Sequence, residues 1–277
     1  MTPSMSKHSP LVVVTGATDG IGQQTALDLV KRGAHVIVHG RRDERLDATR
    51  KFLLREVPSA VVHIARADLA SLAEVRALGD DLTKRFPRID VVIHNAGVFM
   101  NKRVLTVDGF ETTFAVNHLA PFVLTHRLLE PLTATKGRVL NVSSIAHTRG
   151  EMDFANLNAE RSFDGYDAYA RSKLANVLFT VELARRVAGR GITTNSLHPG
   201  VVGTKLLREG FGSSGGESLE EGAATSVYLA LSDDVAGVTG KYFMHRRESP
   251  MNQLAHDEKL ARTFWETSAK LAGEAGA

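Results

Sequence analysis

Short apolar runs alternate along this chain with longer stretches whose apolar residues recur every three or four positions. The runs are LVVVTG from Leu11, AHVIVHG from Ala34, AVVHIARAD from Ala60, IDVVIHNAG from Ile89, GRVLNVSS from Gly137 and GITTNSLHPG from Gly191. Most are apolar at consecutive positions, as in strands of a parallel sheet covered on both faces. Between them lie segments of helical spacing, such as ANVLFTVELARRV from Ala175. Strand and helix in regular succession predict an α/β chain: a doubly wound parallel sheet of about seven strands, with helices on both faces and right-handed crossovers. No linker interrupts residues 1–277, which predicts a single domain. Two stretches break the rhythm. Residues 145–167 mix charges without a period and read as an insertion, and residues from about 203 to 222 are rich in glycine and serine and read as a substrate flap. Ligands of such sheets bind beyond the carboxyl ends of the strands, where both would lie.

Composition narrows the function classes. Hydrophobic residues make up 43% of the chain and charged ones 23%, ordinary values for a chain with a sizeable core. The net charge is only +3, and the charges alternate without a basic block, which argues against nucleic-acid binding. There is no cysteine, so disulfides, thiolate metal sites and cysteine nucleophiles are excluded. The histidines show no metal-ligand spacing. MTPSMSKHSP has no apolar core of a signal peptide, and no run is long enough to span a membrane. A cytoplasmic protein is expected.

TGATDGIG, from Thr15 to Gly22, follows the first strand and opens a helical pattern. Gly16, Gly20 and Gly22 let the backbone turn sharply and approach an anion, and the helix beyond presents free N–H groups and its positive dipole end. Such a turn predicts a dinucleotide pyrophosphate site built from Gly16, Thr18, Asp19, Gly20, Ile21 and Gly22. About 20 residues on, an NAD enzyme would carry an acid for the ribose hydroxyls. Here that place holds Gly40, followed by Arg41 and Arg42. A guanidinium suits a 2′-phosphate, so NADP(H) is expected in preference to NAD(H). The competing reading is a solvated basic loop, and Asp19 and Asp43 would oppose a phosphate.

The G-x3-G-x-G spacing resembles the short-chain dehydrogenase/reductase family, and further matches follow in order: ADL at Ala67, HNAG at His94, VNHL at Val116, NVSS at Asn141, YARSK at Tyr169 and HPGVVGT at His198. The wording of RVLNVSSIAH, SKLANVLFTVELARR and NSLHPGVV, with GKYF near the end, is similar to the retinol-dehydrogenase-like branch. The resemblance implies a Rossmann-type fold and an oxidoreductase acting on CH–OH groups. It assigns Arg41 to the 2′-phosphate, Asp68 with Leu69 to the adenine, and Asn95, Ala96 and Gly97 to the passage of the adenine ribose. Pro199, Gly200, Val202 and Thr204 would clasp the nicotinamide carboxamide. Asp68 also reads as a helix N-cap. His94 stands where the family usually has Asn and receives no role; His198 reads equally as a packing residue.

Tyr169 and Lys173 lie four apart on a predicted helix and share a face. A neighbouring ammonium favours a phenolate, so Lys173 is expected to pull the Tyr169 phenol down from its usual value near 10 and make it a general acid or base. The resemblance adds that Lys173 bonds the nicotinamide ribose, that Ser144 hydrogen-bonds the substrate oxygen, and that Asn117 holds a relay water beside Lys173. Ser143 is the rival of Ser144, and strand alternation lets only one of them serve. For Asn117, capping or kinking a helix is the alternative. The expected activity is hydride transfer between NADP(H) and a carbonyl or alcohol of a small lipophilic substrate, as in a carbonyl reductase or retinol dehydrogenase. A cofactor-binding sensor or scaffold with little catalysis is the alternative. Assembly as a homodimer or homotetramer through the helix of Tyr169 stays open.

Overall fold

The structure, a computed structural model, describes residues 9–204, 208, 212 and 215–274. One sheet holds β1 (Leu11–Val14), β2 (His35–Gly40), β3 (Val62–Arg66), β4 (Val91–His94), β5 (Arg138–Val142), β6 (Thr193–His198), β7 (Lys241–Met244) and β8 (Arg247–Glu248). Their spatial order is β3-β2-β1-β4-β5-β6-β7-β8. All neighbours are parallel except β7 with β8. Each of the six apolar runs contains a strand and KYFM supplies the seventh. The eighth strand is two exposed residues with no apolar pattern to announce it.

Helices α1 (Gly20–Lys31), α2 (Asp43–Glu56), α3 (Leu72–Arg85), α4 (Thr112–Phe114), α5 (Ala120–Thr133), α6 (Gly165–Arg186), α7 (Leu219–Leu231) and α8 (Glu258–Ala272) cover both faces. Alternation within the strands divides the interior. Val12, Val14, Val36, Val38, Ile93 and Leu140 join a core with residues of α1, α2 and α7. Val13, Ile37, Val92, Val139 and Tyr242 face the other way, into a core with residues of α3, α5, α6 and α8. The strand order reverses between β1 and β4, which opens a crevice at their carboxyl ends.

Between α4 and α5 the helix widens into a π turn, Ala115–Leu119, where the Ala120 N–H reaches the Ala115 carbonyl. Pro121 explains it. In a regular helix its ring would meet the carbonyl four residues back, that of Asn117, and the wider turn avoids the clash. Asn117 therefore stands at a kink.

Helix α8 closes the chain over α5 and α6. Trp265 is buried, stacks on Phe179 with centroids 5.6 Å apart, and has the Arg186 guanidinium 4.7 Å from its ring. His118, fully buried on the π turn, reaches Ser268 on α8 at 2.8 Å. The expected insertion, residues 145–167, resolves into a 3-10 turn at Ile145–Arg149, a stretch of short turns, and the first residues of α6, which begins at Gly165. Of the expected flap, residues 205–207, 209–211 and 213–214 lie outside the described residues, and its end belongs to α7.

Four buried histidines set a pH limit on this fold. Burial pushes His39 and His198 down from 6.5 to about 4, and His94 and His118 to about 3. Between pH 6.5 and about 4 the unfolded chain binds protons that the folded chain refuses. Stability is therefore complete above that window and falls as pH drops through it, by about 1.4 kcal/mol per pH unit for each histidine, or roughly 5 kcal/mol per unit for all four. Urea midpoints measured across the window should fall steeply and cooperatively. A constant midpoint would contradict the assignment of these histidines as neutral core residues.

Candidate active site

The β1–α1 turn is built around two residues that cannot carry a side chain. A Cβ on Gly22 would lie 2.3 Å from the Gly16 carbonyl oxygen and 2.4 Å from Asn95 Nδ2, and Gly16 has a φ of +63° with its Cβ position 2.9 Å from Ala96 Cα. Asn95 and Ala96, just past β4, sew the turn to the sheet. Asn95 Nδ2 donates to the Thr15 carbonyl at 2.8 Å, and the Ala96 N–H donates to Thr15 Oγ1 at 3.1 Å. Asp19 caps α1 by accepting from the Gly20 N–H at 2.8 Å. The next amides of the first turn, on Ile21 and Gly22, keep their donors for an anion.

His39 pins the same turn from the side. Its Nδ1 accepts from the Gly16 N–H at 3.3 Å, which fixes the proton on Nε2, 3.2 Å from the Ala67 carbonyl. Where β2 ends, a Cβ on Gly40 would come within 2.6 Å of the Thr18 methyl, so no acid fits there. Arg41 and Arg42 are exposed and make no ion pair among the described residues, whereas the nearby acids are engaged: Asp19 with Arg45 at 3.5 Å and Asp43 with Arg66 at 3.9 Å. Asp68 is not the cap of α3. Its carboxylate accepts from the Ala70 N–H, and Ser71 is the cap, accepting from the Glu74 N–H at 3.3 Å. The reason is register: the strand must turn for three more residues before the helix can begin. Leu69 is buried in the core and leaves only its backbone free for a ligand.

On the far side of the crevice, Ser143 and Ser144 separate as alternation requires. Ser143 is buried and donates to the Lys173 carbonyl at 2.7 Å. Ser144 begins the 3-10 turn, where its Oγ accepts from the Ala146 N–H at 3.2 Å and keeps its proton to donate; it is the hydroxyl hydrogen-bonded to Tyr169. Lys173 is 3% exposed, and its Nζ donates to the Val142 carbonyl at 2.9 Å. Asn117 Oδ1 accepts from the Val98 N–H at 2.8 Å, and its Nδ2 donates to the Val98 carbonyl and to Ser172 Oγ. A Cβ on Gly97 would sit 3.3 Å from Lys173 Nζ and 3.5 Å from Asn117 Oδ1. The glycine thus leaves open a space that both groups border.

One expectation fails. Lys173 does not pull the Tyr169 phenol down in this structure: Nζ stands 5.5 Å from the ring centroid, and burial pushes the phenol up to about 12 against a smaller opposing effect of the Ser144 hydrogen bond. Burial also draws Lys173 down to about 8. Desolvation is the largest influence on both groups.

The loop after β6 returns toward the first turn. Gly200 has a φ of +99° and lies against the Glu217 carboxylate, Val202 bridges Glu217, and the Thr204 methyl is 3.7 Å from the Cβ position of Gly20. Pro199, Gly200, Val202 and Thr204 are thereby brought beside the β1–α1 turn. His94 is bonded to Thr125 at 2.8 Å and is a core residue. Sequence reasoning missed His39, although a histidine in the otherwise apolar run VIVHG was a signal. It also missed His147, which donates from Nδ1 to the Ser144 carbonyl and accepts the Asn252 N–H at Nε2, clipping the turn behind Ser144.

Comparison with known proteins fits this geometry. A family model described as short chain dehydrogenase matches residues 10–212. The chain belongs to the short chain dehydrogenase family. Within it, human retinol dehydrogenase 13 is 41% identical, with 95% of this chain and 84% of that protein aligned, and mouse retinol dehydrogenase 14 is 40% identical over 96% and 86%. A crystal structure of a putative uncharacterized protein from Mycobacterium paratuberculosis superposes with a TM-score of 0.82 at 33% identity, covering 97% of this chain and 95% of that one. Levodione reductase superposes with a TM-score of 0.69 at 25% identity, covering 84% and 94%. As a short chain dehydrogenase the chain is an oxidoreductase that uses a nicotinamide cofactor, and the two glycines without room for a Cβ, beside the free amides of α1, fit its pyrophosphate.

The pin on the turn is testable. His39→Leu leaves the Gly16 N–H and the Ala67 carbonyl without their partner, at about 1–3 kcal/mol for each buried group. Urea unfolding should show that loss, and dinucleotide affinity measured by calorimetry should fall with it. Unchanged stability and affinity would show that His39 is a packing residue only.

Proposed function

We propose that this chain transfers a hydride between NADP(H) and a carbonyl or alcohol carbon of a small lipophilic molecule. The convergence of Ser144, Tyr169 and Lys173 on one crevice carries the reading. The cofactor supplies the hydride. Ser144 holds the substrate oxygen and Tyr169 exchanges a proton with it. Lys173 and Asn117 border the space beside Gly97, and the Lys173 ammonium restores that proton. With its phenol near 12, Tyr169 is protonated at neutral pH and set to donate to a carbonyl oxygen; Lys173, near 8, is about ten parts ammonium to one part amine. This protonation state suits reduction. Drawing a proton from an alcohol requires a further positive charge near the phenol.

The preference for NADP(H) rests on Arg41 and Arg42, which make no ion pair among the described residues, and on the crowding of position 40 by the Thr18 methyl. Apolar groups around the pair support a lipophilic substrate. Phe99 packs on Tyr169 with centroids 5.5 Å apart, and Ile145 and Val201 are about half exposed nearby in sequence to Ser144 and Gly200. Among the described residues no helix is long and apolar enough to cross a membrane. A homodimer or homotetramer built on α6 would need a face other than the one that α8 occupies.

Two substitutions test the reading. Tyr169→Phe should lower kcat for carbonyl reduction by about 10²–10⁴-fold with the fold intact by circular dichroism. A variant as active as the parent, or a parent inactive on a broad carbonyl panel, would favour a cofactor-binding sensor. Arg41→Asp should weaken NADPH binding by at least tenfold more than NADH binding, about 1.4 kcal/mol of differential affinity. Equal losses would remove Arg41 from the phosphate site.

A further inference from the structure

Beneath α6 the sheet carries an unusual row of polar side chains. Register places Asn141 on β5 beside Ser196 on β6, and Ser196 beside Tyr242 on β7. All three are 0–1% exposed. Asn141 Nδ2 donates to Thr180 on α6, which fixes this as the helix-covered face. Yet Asn141 Oδ1, Ser196 Oγ and the Tyr242 hydroxyl have no hydrogen-bond partner among the described residues. Two residues later on β6, on the same face, His198 Nδ1 is also without one, and so is Asn176 Oδ1 on α6 above. The opposite face of these strands carries Leu140, Val142, Leu197 and Phe243 and has no such row.

Five neighbouring polar atoms, buried and unpaired, would each cost about 1–3 kcal/mol in a dry interior. Polar, partner-poor sites of this kind are where proteins hold ordered water. The row also touches the lysine. Asn176 Nδ2 and Lys173 Nζ both donate to the Val142 carbonyl, at 3.4 and 2.9 Å.

We propose that this row is a buried hydration site whose ordered waters, bonded to Asn141, Asn176, Ser196, His198 and Tyr242, conduct protons to Lys173 from beneath the sheet side of α6. The second element of the proposal, delivery to Lys173, rests on the role of Lys173 given above; the waters themselves do not. The only transfer involved is of a proton: an ammonium proton passes from Lys173 to the adjoining water or returns from it, and no other bond changes. Asn117, with three hydrogen bonds already made to Val98 and Ser172, borders the other side of the lysine. Of the titratable groups on the packed elements, Tyr169 on α6 has its ring 5.5 Å from Nζ and His198 on β6 feels the charge of Lys173, while Tyr242 on β7 and His147 on the 3-10 turn lie against each other with ring centroids 4.3 Å apart. Burial keeps the three on the sheet and turn neutral and leaves Lys173 the group that carries charge at neutral pH.

The test combines three measurements on the full chain and on Ser196→Ala and Tyr242→Phe, with Ser196→Thr as the variant that keeps the hydroxyl. A crystal structure of the parent should show water bonded to at least two of the five free atoms. Removing a hydroxyl from a hydrated row should lower Tm by about 2–4 °C, whereas removing an unpaired hydroxyl from a dry one should raise it. Hydrogen exchange of the Lys173 ammonium, followed by 15N NMR, should slow several-fold in Ser196→Ala and Tyr242→Phe and recover in Ser196→Thr. This readout needs no turnover, so it stands apart from success or failure in finding a substrate. A dry row, a raised Tm in both variants, or exchange unaffected by them would overturn the proposal.

Discussion

The ammonium of Lys173 is buried to 3% exposure with no carboxylate paired to it among the described residues, held by the Val142 carbonyl at the end of β5. An interior charge without a counter-ion is tolerated only where oriented polar groups replace its water. Much of the architecture around the crevice meets that requirement. Helix α6 must lie close enough on β5 for Nζ to reach a strand carbonyl, and Ser143 reinforces the contact by bonding the carbonyl of the same lysine. Glycine at position 97 leaves open the space in front of Nζ, which a side chain would crowd.

The same constraint ties distant elements into one site. Asn117 is turned inward by the π turn that Pro121 imposes, and its amide bonds Ser172, which bonds the Tyr169 carbonyl. Helix α6 is thus held from one side by the kink before α5 and from below by β5. Behind Ser144, the His147–Asn252 clip anchors the turn that carries its hydroxyl. Tyr169 therefore meets Ser144 across a gap whose walls are set by backbone, not by flexible side chains. Such rigidity is what positions a proton donor relative to a bound carbonyl.

How much of this was legible before the fold was known depended on the range of the interaction. Continuous apolar runs such as LVVV and HVIV gave the parallel strands, because burial on both faces leaves a local mark. The glycine turn and the Tyr169–Lys173 pair were legible for the same reason, and the period of a strand showed that only one of Ser143 and Ser144 could serve, the family resemblance naming Ser144. The π turn could have been foreseen from Pro121. What escaped was set by tertiary surroundings. The upward shift of Tyr169 reflects how deeply α6 is buried, which spacing does not reveal. The cap of α3 moved from Asp68 to Ser71 because the turn after β3 is longer than a cap motif implies. The His39 pin and the Asn252 clip join residues far apart in the chain, and β8 is too short to leave a pattern.

Order along the chain adds something else. The apolar flank of α6 that holds Phe179 is sealed by Trp265 in the middle of α8. A ribosome releases that last helix only after every strand has been made, so the helix bearing the reactive tyrosine, once made, waits for it with an aromatic side uncovered. Nascent chains in that condition are prone to stick to one another or to chaperones. The residues farthest from the chemistry thus decide how safely its scaffold is born.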